Sequence, residues 1–253
     1  MKLFWHELRV EQKLFWRNRE AAFFTFFLPI VFFLIFGSVY GDSKIREGSR
    51  HVRGAAYLEA GMIGYGVAAT AFAGLAITLV IRRESGVLKR IRGTPLPPAI
   101  YLAAVLGSTV IVFAIQTVLI IVLGRVLFSV RWPALPFSLV LTLLLGAAAF
   151  AGLGLAITSV VRSAEGSSAV VNAVYLPMAI ISGTFFSPYS YPHFLRVIAD
   201  VLPLTYFTQL ARGVMLNGHE VWAQPGAVLW VVGWGLVGIL LAVRRFRWAP
   251  AER

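Results

Sequence analysis

The 253-residue chain contains no cysteine. That removes disulfides, thiolate metal sites and cysteine nucleophiles together. It also lacks a G-x-x-x-x-G-K-[ST] phosphate loop, an H-E-x-x-H pair and a G-x-S-x-G turn, the short motifs of nucleotide, zinc-hydrolase and serine-hydrolase chemistry. The four histidines, His6, His51, His193 and His219, lie near polar ends of the sequence without ligand spacing. Acid is scarce, with 11 Asp and Glu against 23 Lys and Arg. No carboxylate is expected deep in an apolar run, whereas an ion-driven transporter buries one at mid-membrane. Glu59, near the start of the second span, could serve as a functional intramembrane carboxylate, while its closeness to the polar loop favours a hydrated, interfacial role.

What is abundant is apolar sequence. The chain is 58% hydrophobic with mean hydropathy +0.79, above the roughly 45–50% of soluble domains. The excess is gathered in charge-free blocks at Ala21–Gly41, Ala60–Ile81, Gly93–Gly124, Trp132–Val161, Gly166–Leu195 and Val221–Val243. A helix crosses a bilayer with about 20 such residues. The blocks predict spans over about Ala21–Tyr40, Tyr57–Ile81, Ala99–Gly124, Pro136–Val161, Ser167–Phe186 and Gly226–Val243. Little sequence remains for a soluble domain, so residues 1–253 read as a single transmembrane domain.

The expected fold is all-α and integral to the membrane, with six spans and two accessory features. Residues 1–20 form an amphipathic segment rather than a cleavable signal. Lys2, His6, Arg9, Lys13 and Arg17 share one helical face opposite Phe4, Leu8 and Phe15, a pattern suited to the headgroup boundary. Residues 187–225 are too polar to span, yet enclose the largely apolar stretch Val201–Ala211. An outer re-entrant helical hairpin, punctuated by Pro188, Pro192 and Pro203, is expected there. Gly61, Gly64, Gly66, Ala69 and Ala73 in the second span, and Gly146, Gly152 and Gly154 in the fourth, mark close helix contacts.

The charge of +12 reflects flanks of spans rather than a nucleic-acid surface. With six spans both termini share a side. That side carries fifteen of the 23 Lys and Arg, among them Arg162, Arg247 and Arg253; the other carries eight. The positive-inside rule makes it cytoplasmic.

Residues 82–98 form the basic cytoplasmic connection between the second and third spans. Val87, Leu88 and Ile91 fall on one apolar face, and Lys89, Arg90 and Arg92 supply charge. Glu84 is placed to oppose a partner's cation or to cap the short helix. Gly93, Pro95, Pro97 and Pro98 stop it. Such a helix suits a groove on a soluble partner, and equally a plain basic loop. In the membrane, Phe23, Phe26 and Phe27 could line an apolar route, with Gln116 and Asn172 as the deepest amides. An interhelical hydrogen bond is the more ordinary use of each amide.

The string RRESGVLKRIRGTPLPPAIYL resembles the cytoplasmic connection of type-2 ABC transporter permeases, with Arg83, Glu84, Gly86, Leu88, Arg90, Thr94 and Pro95 in matching places. SGTFFSP at Ser182–Pro188 resembles the family's end of the fifth span. LPLTYFTQLARGVM at Leu202–Met215 resembles its signature through Pro203, Leu204, Thr205, Tyr206 and Arg212. The likeness covers nearly the whole chain and leans to the drug and antibiotic exporters. It implies a permease, not an enzyme, in a bacterial inner membrane, exporting a hydrophobic or amphipathic compound. It also implies a cytoplasmic ABC ATPase partner holding ATP and Mg, and a second permease copy or a related permease. Arg83, Glu84, Val87, Leu88, Arg90, Ile91 and Arg92 would form the coupling helix. A secondary transporter, a membrane-embedded enzyme without an ATPase, and a mere ATPase anchor are the alternatives.

Overall fold

The computed structural model describes every residue except 49, 162, 247 and 249–253; Arg162, Arg247 and Arg253 of the orientation count therefore lie outside the described residues. Helix α1, Lys2–Arg17, precedes the first of six helices long and apolar enough to cross a membrane, α2 Arg19–Tyr40. The second, Gly54–Glu84, comprises α3 Gly54–Val67, a π-helical segment Ala68–Gly74 and α4 Leu75–Glu84. After the short α5, Val87–Arg92, come α6 Pro98–Phe128, α7 Pro136–Ile157 and α8 Ala164–Ile181. Two short helices, α9 His193–Ala199 and α10 Pro203–Leu216, lead to α11 Pro225–Arg245. The chain is an all-α integral membrane protein, with one small hairpin among the described residues.

That hairpin was not expected. Strands β1 Lys44–Glu47 and β2 Arg50–Arg53 pair antiparallel, with Ile45 opposite Val52, and Gly48 takes φ +59° in the turn. Each strand offers a single apolar residue, Ile45 or Val52, and the four cations among eight residues read as an orientation loop.

Local chemistry fixes where helices begin and end. Asn18 caps α2, its side chain accepting from the Ala21 N–H at 3.2 Å. Ser163 caps α8 by accepting from Gly166, so this span starts before the expected Ser167. It ends at Ile181, short of Phe186, because Gly183 adopts φ +80° and turns the chain back. Helix α7 stops at Ile157 rather than Val161, and α6 runs past Gly124 to Phe128.

Small residues let the spans approach. A Cβ on Gly154 would stand 2.8 Å from the Phe72 carbonyl, and one on Gly238 would stand 2.5 Å from the Leu153 nitrogen. Helices α7 and α11 thus touch backbone to backbone. The main core gathers Phe33, Met62, Phe113, Phe150 and Phe207. A second cluster at the end shared by the two termini holds Leu75, Leu79, Leu88 and Tyr101.

Helix α10 enters this bundle from the hairpin end. Leu204 and Thr208 lie against Gly64, and Phe207 lies against Gly146. Each glycine is ten residues into its helix, about 15 Å at 1.5 Å per residue. Arg212, two turns later, is back beside Tyr57.

Candidate functional site

Three groups of sequence-selected residues can be placed. The first is the connection after α4. Gly86 has φ +72° and breaks α4 from α5, a conformation that side chains with a Cβ resist. Leu88 is wholly buried in the second cluster and Ile91 packs beside it, while Val87, Lys89, Arg90 and Arg92 face outward. The expected apolar face is therefore divided: its centre fastens α5 to the bundle, and the outward face is largely cationic.

Arg83 and Glu84 correct the reading of a free docking surface. The Arg83 guanidinium is buried and donates to the carbonyls of Thr158 at 2.8 Å and Val161 at 2.6 Å. Its Nε meets Glu84 Oε1 at 2.9 Å. Arg83 thus satisfies carbonyls that the C-terminus of α7 leaves open, and Glu84 serves Arg83 rather than a partner's cation. Next to it, Arg82 donates twice to Glu11 of α1, at 2.7 and 2.8 Å, and once to the Tyr101 hydroxyl at 2.8 Å. With Leu8 packed on Gly107 and Gln12 donating to Ser108 Oγ at 2.9 Å, this seats α1 along α6. Trp5 and Trp16 remain exposed.

The second group, offered as a route, does not converge. Phe23 and Phe27 stack on each other at 4.6 Å on the outer face of α2, Phe23 being 55% exposed. Phe26 stacks on Trp16 at 5.6 Å. Asn172 is half-buried on α8. Gln116 is buried, and its Nε2 donates to the Thr25 carbonyl at 3.1 Å. Pro29, four residues after Thr25, has no N–H to fill that carbonyl. Gln116 repairs the gap from α6, the structural use of an amide within a bundle.

The third group is the string at α10. Pro203 starts the helix. Leu204 is buried, Tyr206 donates to the Asp200 carbonyl at 2.7 Å and stacks on Trp230 at 5.1 Å, and Thr205 borders a small cavity. Arg212 is 4% exposed. Its guanidinium lies 3.7 Å from the Tyr57 ring centre and donates to the Gly183 carbonyl, which also accepts from Tyr57 at 2.9 Å. Arg212 therefore binds α10 to α3 and to the end of α8.

The sequence pattern described as "ABC-2 type transporter" matches residues 2–216. The chain belongs to the ABC-2 type transporter family. It is also similar to the Bacillus subtilis (strain 168) protein named "Putative transport permease YvfS", 24% identical over 235 residues that make up 92% of each chain. An ABC-2 type transporter of this kind is a transport permease rather than an enzyme, and ATP hydrolysis lies with a separate subunit. The matched region ends at the last residue of α10, so it takes in the five spans, the α4–α5 connection and the Arg212 anchor, and leaves out α11.

Two features of this ABC-2 permease escaped the sequence reading. Glu59 is 1% exposed, packs on Gly124 and has neither carboxylate oxygen hydrogen-bonded. The expectation of a hydrated interface was wrong, because α6 packs over the position at Gly124. An aromatic group of Phe32, Tyr65, Tyr175 and Phe185 joins α2, α3, α8 and the loop after it, at 5.6 to 6.0 Å between ring centres. Its members come from distant parts of the sequence, so no local spacing marks them.

Proposed function

We propose that this chain is the membrane subunit of an ATP-driven exporter, with α5 as the element that meets the ATPase. The observation carrying the reading is the seating of α5: Leu88 buried, Lys89, Arg90 and Arg92 outward, on a helix hung from α4 and held near the end of α7 by Arg83. A short rigid element that presents charge while fastened to two spans suits transmission of motion from a soluble subunit.

In this reading the ATPase binds ATP and Mg, and this chain binds neither. Two permease copies, or this chain with a related permease, complete the transporter. Residues 1–253 act as one membrane domain, with both termini on the cytoplasmic side of a bacterial inner membrane. Helix α1 lies at the inner surface, and the α9–α10 hairpin dips into the outer leaflet. The cargo is a hydrophobic or amphipathic compound, drug, antibiotic or lipid-like, moved outward.

The test is purification of the tagged protein from its native host in mild detergent, with partners identified. A co-purifying ATPase whose stimulation is lost in Arg90→Ala, with unchanged melting, is the expected result. Isolation without any ATPase, repeated in a milder detergent, rejects it.

A further inference from the structure

Between α1, α2, the second span and α6 lies a cleft of about 210 Å³. Of its lining, Leu14, Asn18, Ala21 and Gly74 are exposed, so the cleft opens at the surface of the bundle. Along the second span it reaches from Arg82 back to Thr70, about 18 Å at 1.5 Å per residue. That is close to half the roughly 30 Å of a bilayer's hydrocarbon core, the depth of one leaflet. Ala69, Thr70 and Gly74 on its wall belong to the π-helical segment, an irregularity that recurs at functional sites.

Most of the polar side chains in the cleft are already committed. Thr25, Thr70 and Thr109 each donate to the carbonyl four residues back, at 2.7, 2.7 and 3.0 Å. Glu11 and Arg82 hold each other, Ser108 accepts from Gln12, and Asn18 caps α2. The remaining wall is apolar, from Leu14, Phe15, Leu75, Val105 and Val112. An alkyl chain leaves no polar group newly stranded there and gains from the apolar area it covers. Volume decides against a larger occupant, since pockets for drug-sized ligands hold roughly 300–1,000 Å³. At the elbow beside the cleft the charge is one-sided. Lys13, Arg17 and Arg19 are exposed around Asn18, against Glu20 alone, and the Asn18 amide nitrogen is a further donor.

We propose that this cleft binds one acyl chain of an anionic glycerophospholipid, whose phosphate rests on the Arg17–Arg19 elbow. Basic pockets between spans suit anionic headgroups, and here the basic elbow adjoins a chain-sized apolar cleft. A chain seated there touches α1, α2, the π-helical wall and α6 together, so the lipid fastens the elbow to the second and third spans. The site requires only the six spans, so it stands or falls separately from the exporter reading.

The experiment uses the full chain in phosphatidylcholine nanodiscs that carry a trace of phosphatidylglycerol with a diazirine midway along one acyl chain. After irradiation, labelled peptides are located by mass spectrometry, with α11 as the reference for lipid that merely surrounds the bundle. Labelling is expected over Ala69–Leu75 and Ser108–Val112. It should fall when unlabelled phosphatidylglycerol is added to the disc, and not when phosphatidylethanolamine is. Arg17→Gln and Arg19→Gln should each weaken it about fivefold, the worth of one cation near an anionic lipid surface. Gly74→Leu fills the cleft and should remove the labelling. A Cβ there stands 3.2 Å from the Ala69 carbonyl, so Ala69→Leu serves as a second filling variant, and melting like the wild type shows that each variant folds. Label on α11 as strong as in the cleft, equal displacement by phosphatidylethanolamine, or labelling unchanged in the folded filling variants would overturn the proposal.

Discussion

Two buried polar side chains, Arg83 and Gln116, do work that their neighbours in sequence conceal. Arg83 stands in a run of cations expected to face a partner, yet it is spent on the carbonyls of Thr158 and Val161. Removing it leaves buried acceptors unmet, at about 1–3 kcal/mol. Arg83→Ala should therefore lower the melting temperature in detergent, whereas Arg90→Ala should not. Equal melting of the two variants would contradict the division of roles. Gln116 and Pro29 form a second case, open to a double-mutant cycle. Gln116→Leu should cost stability in the wild type and less in Pro29→Ala, because alanine restores the N–H that Thr25 needs. Additive losses would reject the repair. The sequence placed Gln116 deep and favoured an interhelical hydrogen bond for it, but its partner is 91 residues away, beyond any local pattern. Glu59 was misread for the same reason, its burial being decided by α6 rather than by its own helix.

Among the helices, those legible in advance are those whose signal is local. Six apolar blocks gave six spans, and prolines at 188, 192 and 203 divided the region after α8 into the short helices now seen. The β-hairpin was not legible, since each strand carries one apolar residue among charged ones. The hairpin also carries a titration. Burial pushes the Glu47 carboxyl above its usual range, and the nearby Arg212 pulls only partly the other way. A group whose folded-state pKa is raised gives stability that is complete below its unfolded pKa and is lost as pH rises through the folded one. Amide exchange of Ile45 and Val52 should therefore slow as pH falls from neutrality toward the ordinary glutamate range, after correction for intrinsic rates, and Glu47→Gln should flatten the trend. A hairpin that loosens on acidification would refute it. Helix α1 is held differently, by the buried Glu11–Arg82 pair. Breaking one partner of a buried pair is costly, so Glu11→Ala should raise hydrogen exchange across α1 while leaving α7 and α11 unchanged. Uniform exchange across the chain would point to general unfolding instead.

Taken together, the permease has one end tied by charge and another closed by aromatic packing. The terminal end holds α1, α5 and the ends of α4, α7 and α11 around Leu88 and Arg83. The opposite end holds the β-hairpin, Gly183 and α10 around Arg212. The orientation of these ends in a membrane is a matter of lysine and arginine placement, and it is directly testable in this cysteine-free chain. A His219→Cys variant should react with an impermeant thiol reagent on intact cells. Labelling only after lysis would invert the assignment. The family match over residues 2–216 carries the architecture, while the cargo lies outside what local patterns encode.

The contact between Gln116 and Thr25 has a consequence for how the protein is made. Ribosomes add roughly 5–20 residues per second, so the first span waits several seconds before Gln116 exists. Until then the Thr25 carbonyl opposite Pro29 lacks the donor that Gln116 later supplies. The first helix to reach the membrane is thus unfinished on arrival, and the third completes it.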